Sequence, residues 1–404
     1  MKPKLRELEA HPIEHQGQPM VLLRDPLRLS GTQIAIPRPL GLLLVLMDGT
    51  RDEAALEAAL QVRAGVRLAP GLLSRLLDDL DSAYLLDNER FAQARAEALR
   101  TWRLAPYRPL TMDGTHSGHP SDVVSAQLQG YVDALPPAAP PAAAPPIQGV
   151  ISPHIDYQRG GPVYAEVWRA AAAAARDAEL VVVFGTDHQG SAGTVTLTRQ
   201  SYATPFGVLP TDGDLVDALA AALGQEAAFA EELNHRGEHS IELAAVWLHF
   251  MRGGEPVPMV PILCGHFGTF VEGDADPAAH EPFITTLDVL RTAMASRRIL
   301  VVAAADLAHV GPAFGDPYGL DFIARAQLRS ADERLLQTIY DGDAAAFMAN
   351  LKAERDRRHV CGLPPIYLTL RLLDGVRGEP AGYAQCPADA QEMSFVTIAG
   401  VILR

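Results

Sequence analysis

Residues 180–190, LVVVFGTDHQG, decide how this chain folds. An apolar run suited to a buried strand stops at Gly185, and Thr186, Asp187 and His188 follow at once. The same pattern recurs in IQGVISPHIDY (147–157), VPMVPILCGHF (257–267) and ILVVAAADLAHVG (299–311). Between the first two runs, GPVYAEVWRAAAAAARDA (161–178) reads as helix. Apolar strands alternating with alanine-rich helices predict an α/β fold, with a central, mainly parallel sheet flanked by helices on both faces.

Each of the four runs has a histidine at or near its end: His154, His188, His266 and His309. Asp156, Asp187 and Asp306 stand beside three of them. In open α/β sheets ligands bind outside the carboxyl ends of the strands, so side chains distant in sequence converge there. Histidines gathered with a thiol and carboxylates suit a transition metal, the imidazoles as ligands and the carboxylates as acceptors that orient the rings. Cys361, in RRHVCGLPPIYLTLRLL (357–373), is the first thiol candidate. Pro364 or Pro365 would open a helix there, and a thiol near a helix N-terminus is favoured as thiolate, the form that ligates metal. Cys264, just before Gly265 and His266, competes with it; for either thiol the plain alternative is a small buried apolar residue. In NHRGEHSIELAAVWLHF (234–250), His239 and Glu242 stand three apart at the start of an apolar helix, an arrangement expected to put both on one face as a proton relay or a further ligand.

The 404 residues favour two or three domains, and a net charge of −15 argues against a general nucleic-acid or anionic-membrane binder. The three cysteines show no CxxC spacing, which points to a reducing compartment. The start, MKPKLRELEAHPIEHQG, lacks the apolar core of a signal peptide, and no apolar run reaches the roughly 18–20 residues that span a bilayer, so a cytoplasmic location is expected.

Residues 1–103 read as a unit of their own, apart from 104–404. Strand-like runs in PMVLLRDPLRLSG (19–31) precede a helix, a break at Asp48-Gly49-Thr50, and a second helix that Thr50 is expected to cap. A third amphipathic stretch, APGLLSRLLDDLDSAYLL (69–86), places Leu72, Leu73, Leu76, Leu77 and Leu80 on one face. This order looks like a winged helix and resembles the PqqD-like peptide-recognition domains found beside radical-SAM enzymes. The stretch PPAAPPAAAPP (136–146) favours extended backbone and is expected to be a loop inside the second domain.

The segments ISPHIDYQRGGPVYA, FGTDHQG, YATPFGVLPTD, EHSIEL, DLAHVG, CGLPPI and SFVTIAGVIL, in this order over roughly residues 105–404, resemble the MEMO family, called AmmeMemoRadiSam system protein B in bacteria. The resemblance implies a fold like that of class III extradiol dioxygenases, with a metal site at the strand ends. By motif the metal ligands would be His154, His188 and Cys361, with Asp306, His309 and His239 lining the pocket and His309 or His239 acting as general acid or base. A glutamate holds the third ligand position in the dioxygenases, so the thiolate would alter metal preference and redox potential. Thr186-Asp187 and Ala304-Ala305 depart from the family's usual residues. The expected ion is Fe(II), with copper or zinc as alternatives. The expected partners are a radical-SAM protein, AmmeMemoRadiSam system protein A, and a peptide or small organic substrate. A non-catalytic peptide-binding module, since some relatives bind phosphorylated peptide, and a metal-handling protein are the competing readings of the same cleft.

Overall fold

A computed structural model describes residues 2–112, 115–137 and 144–404. Residues 138–143 of the proline-rich stretch, expected to form a loop, lie outside the described residues. The chain divides into two compact units, residues 1–104 and 105–404.

In the first unit, β1 (Glu9–His15), β2 (Gln18–Arg24) and β3 (Ile34–Pro37) form an antiparallel sheet in that order. They are followed by α1 (Gly41–Leu46), α2 (Glu53–Ala64), α3 (Leu72–Ser82) and α4 (Glu89–Leu104). Leu23, Ile36, Leu43, Leu56, Leu60, Leu73 and Leu80 make the core, with Leu76 and Leu77 packed against it. Leu72, expected on this face, stays partly exposed outside the cluster. The cap of α2 is Asp52, whose carboxylate accepts from the Ala55 N–H, and not Thr50. Thr50 is drawn back instead: its N–H donates to Asp48 at 2.9 Å, closing the break around Gly49.

The second unit opens with α5 (Ser121–Asp133), β4 (Gly149–Ser152), α6 (Tyr157–Asp177) and β5 (Leu180–Thr186). It continues through β6 (Val195–Leu197), β7 (Tyr202–Thr204), β8 (Gly207–Leu209), α7 (Gly213–Leu223), α8 (Gln225–Ala228), α9 (Ser240–Met251) and β9 (Met259–Cys264). Next come α10 (Gly268–Glu272), α11 (Glu281–Met294), β10 (Ile299–Ala304), β11 (His309–Val310), α12 (Phe322–Tyr340), α13 (Ala344–Ala353) and α14 (Leu363–Leu372). The antiparallel pair β12 (Gly378–Pro387) and β13 (Phe395–Leu403) ends the unit.

The main sheet runs β11-β13-β4-β10-β5-β9-β6. Its centre, β4, β10, β5 and β9, is parallel, and β13 and β6 add to it antiparallel. Residues of β5 alternate between two hydrophobic layers: Leu180, Val182 and Phe184 pack with Leu219, Leu287 and Leu368, while Val181 and Val183 pack with Trp168 and Val246. Covering both faces explains why the run in β5 is apolar without interruption. Because the central strands are parallel, the turns after β4 and β5 and the residues after β10 emerge at one edge.

Gly185, the last residue but one of β5, lies against the start of α9. A Cβ there would stand 2.5 Å from Cγ1 of Ile241 and 2.7 Å from Oγ of Ser240. Gly185→Ala should therefore push the start of α9 outward and cost about 1–3 kcal/mol of overpacking, read as a lower denaturation midpoint in urea. An unchanged midpoint would show that the contact is slack.

Candidate metal centre

His154 lies in the turn between β4 and α6, His188 just after β5, and Cys361 one residue before Gly362, the cap of α14. Their ligand atoms all lie within 4.8 Å of one another. His154 Nε2 and Cys361 Sγ stand 3.2 Å apart. An ion with bonds of about 2.0–2.3 Å keeps its donors roughly 3.3–3.7 Å apart, so small side-chain adjustments suffice to close this set on one ion. Gly362 makes the approach feasible, because a Cβ there would fall 2.3 Å from the Asp306 carbonyl and 2.7 Å from the Ala305 Cβ.

Both rings are oriented for coordination. His154 Nδ1 donates to the Ala304 carbonyl at 3.0 Å, which leaves Nε2 facing the sulfur. His188 Nδ1 lies 2.8 Å from Glu238 Oε2, which frees its Nε2 in the same way. A hydrogen bond at the outer nitrogen fixes the tautomer of a metal-binding histidine and raises its basicity. His239 stacks on His188, with ring centroids 5.0 Å apart, and meets His154 edge-on at 5.4 Å.

Glu238 is the residue that reading the sequence missed. Its carboxylate is nearly fully buried and accepts from the His188 N–H at 3.2 Å, the His239 N–H at 2.8 Å and the Ser240 N–H at 2.9 Å, besides the His188 ring. His239 Nδ1 lies 3.2 Å from it, so His188, Glu238 and His239 form a second close cluster. The expected pairing of His239 with Glu242 does not form. Glu242 faces the opposite way and binds Arg108 Nη1 at 2.5 Å, His116 Nε2 at 2.6 Å and the hydroxyl of Thr111 at 2.7 Å. Arg108, fully buried, also donates to the His235 and Glu238 carbonyls at 2.6 Å each, holding the turn that presents Glu238.

A cavity of about 400 Å³ opens onto His188 and Cys361, walled by Phe267, Val271 and Leu363 and reached by Arg355, His359, His266 and Glu272. Asp187 and Cys264 also line it. Asp306, His309 and His239, expected on its wall, are not among the lining residues. Asp306 accepts the His154 N–H at 2.8 Å instead. The His309 ring sits edge-on to Phe314, and the His309 backbone N–H donates to the Arg358 carbonyl at 2.7 Å. Asp156 caps α6, and His266 Nδ1 accepts the Gly268 N–H.

Charge follows this geometry. Burial works to raise the Cys361 thiol, but the nearby His154 and His309, and hydrogen bonds from His154 and His188, bring it down to about 5. Burial opposes the charge on His154, yet Asp306 and Cys361 lift it to about 9. His188 is likewise raised, by Glu238 and Cys361 against the effect of burial. Burial prevails at His239, held near 4, and at Asp187, pushed up to about 7. Burial also pushes the other two thiols up, Cys264 far and Cys386 to about 11.

The family model for Memo-like proteins matches residues 108–402. The chain belongs to the Memo-like family. The match begins at Arg108 and takes in His154, His188, Glu238 and Cys361. Similar relatives carry the name MEMO1 family protein. That of Aquifex aeolicus is 27% identical over 322 residues, 80% of this chain and 79% of the relative. That of Methanosarcina acetivorans is 27% identical over 251 residues, 61% and 82% of the two chains. That of Methanopyrus kandleri is 26% identical over 243 residues, 59% and 76%. Residues 1–104 of this Memo-like chain lie wholly before the family match.

Metal-free protein provides a direct test of the electrostatics. Alkylation of Cys361 by iodoacetamide should follow the thiolate, so its rate should fall as pH drops through about 5, with Cys264 and Cys386 silent. His154→Ala should move the midpoint up towards the ordinary thiol value of about 8.5. A wild-type midpoint already at that value would remove the thiolate–imidazolium pair.

Proposed function

We propose that this chain is a redox-type metalloprotein and that His154, His188 and Cys361 hold an Fe(II) ion, with copper and zinc as the competing occupants. The observation that carries the reading is the convergence of two imidazoles and one thiol within 4.8 Å at the edge where parallel strands end. The chemistry of the donors fits: nitrogen and thiolate ligands suit borderline and soft ions and disfavour magnesium or calcium. When bound, iron or copper would supply Lewis acidity and one-electron redox chemistry.

The protein's own residues set the terms of that chemistry. Glu238 and the Ala304 carbonyl hold the two rings so that neither can rotate its Nε2 away. Phe267, Val271 and Leu363 restrict water on the open side, where an organic substrate would enter. His239, kept neutral by burial and set beside both rings, is the proposed proton acceptor; Asp306 and His309 support the site through the His154 backbone and the charge at Cys361. A radical-SAM protein and AmmeMemoRadiSam system protein A are the proposed partners, with residues 2–104 as the peptide-recognising element.

Protein purified without added metal, analysed by plasma mass spectrometry, should carry about one transition-metal ion per chain. The triple variant His154→Ala, His188→Ala, Cys361→Ala should carry almost none. Equal trace metal in both samples would end the proposal, and the identity of the ion decides between iron, copper and zinc.

A further inference from the structure

The segment before Cys361, KAERDRRH (352–359), concentrates positive charge in a chain whose net charge is −15. One of its arginines is spent internally: Arg358 is buried and paired with Asp332 and Glu354. Arg355 and Arg357 differ from it. Neither side chain makes an ion pair among the described residues, and the same holds for Arg334 of α12. Arg355 lines the cavity above His188 and Cys361, and it also lines an adjoining hollow of about 370 Å³ shared with Arg334, Arg357 and Asn350. Glu354, the acid of that hollow, is already held by Arg358.

The backbone is committed to this arrangement. Arg355, Asp356 and His359 have φ of 55°, 43° and 50°, left-handed conformations that non-glycine residues rarely adopt. They persist because the loop is tied down: Asp356 N–H donates to the Leu351 carbonyl at 2.9 Å, its carboxylate accepts the Val360 N–H at 2.9 Å, and His359 N–H donates to the Asp356 carbonyl at 2.8 Å. Strain of this kind gathers where a loop must present side chains in a set direction. Of the carboxylates on the cavity wall, Asp356 is thus turned to its own loop and Asp187 is held by Asn234. Glu272 remains to offset Arg355.

We propose that this rim is an anion site. The cavity takes the apolar body of a small organic molecule, and Arg355, with Arg334 and Arg357 in the adjoining hollow, grips its phosphate or carboxylate. Guanidinium groups suit both anions because their paired N–H donors match two oxygens at once. The volume of about 400 Å³ fits a small molecule. The inference deepens the proposed function by naming the class of substrate, and it rests on the cavity, not on the identity of the ion.

The test is calorimetric titration of the full-length metal-free protein with phenyl phosphate, benzoate, benzyl alcohol and inorganic phosphate. Phenyl phosphate or benzoate should bind more tightly than benzyl alcohol and more tightly than inorganic phosphate, and should weaken as salt rises. Arg355→Gly keeps the left-handed backbone while removing the guanidinium, and it should weaken the anionic probe by about ten- to a hundred-fold. Arg334→Ala with Arg357→Ala should weaken it further. Equal binding of phenyl phosphate and benzyl alcohol, equal binding of inorganic phosphate, or indifference to Arg355→Gly would each overturn the anion site. Cys361→Ala separates the two readings. Phenyl phosphate bound by protein that takes up no metal keeps this inference while the metal proposal falls, and metal uptake without probe binding does the reverse.

Discussion

The carboxylate of Glu238 is the interaction on which the site depends. A charge taken out of water is costly unless its oxygens are satisfied, and here backbone N–H groups and the His188 ring satisfy them. The donors come from both the turn after β5 and the start of α9, so one acid locks two distant segments in register. Arg108 secures the acid's own backbone, and Gly185 leaves the room that α9 needs to approach. These contacts fix where the His188 ring points before any ligand arrives.

Opposite Glu238 the arrangement is built from backbone. His154 leans on the Ala304 carbonyl, its N–H is taken by Asp306, and Cys361 is seated because Gly362 lacks a side chain. The Thr186 hydroxyl donates to the Cys361 carbonyl at 3.1 Å, joining the end of β5 to the start of α14. The support that Ala304 gives the ring comes from its carbonyl and needs no polar side chain. A carbonyl does the work, and a carbonyl leaves no mark in sequence.

That contrast explains what was legible. His154 and His188 stood out as candidates because each follows a parallel strand, and Cys361 because it precedes a helix; the family resemblance then picked these three from the wider set of histidines and thiols. The mainly parallel centre was legible from uninterrupted apolar runs alternating with helices. The antiparallel placement of β13 beside β4 was not, since apolar periodicity carries no strand direction. In EHSIEL two glutamates lie four residues apart, and spacing alone favoured the one inside the helix. The difference arises at the helix start: Glu238 stands before α9 and reaches back to the site, whereas Glu242 faces Arg108. The same kind of local competition put the cap of α2 on Asp52, because Asp48 had already claimed Thr50. Periodicity finds elements well; it does not arbitrate between neighbouring polar residues at their ends.

The thiol and the ring it meets are separated by 207 residues along the chain. Joining such remote points requires closing very large loops, which makes their meeting a late event in folding. In a small zinc finger the ion organises the polypeptide; here a nearly finished scaffold must come first. On the proposed function, uptake of an ion by these residues would report that the turns after β4 and β5 and the start of α14 have come together.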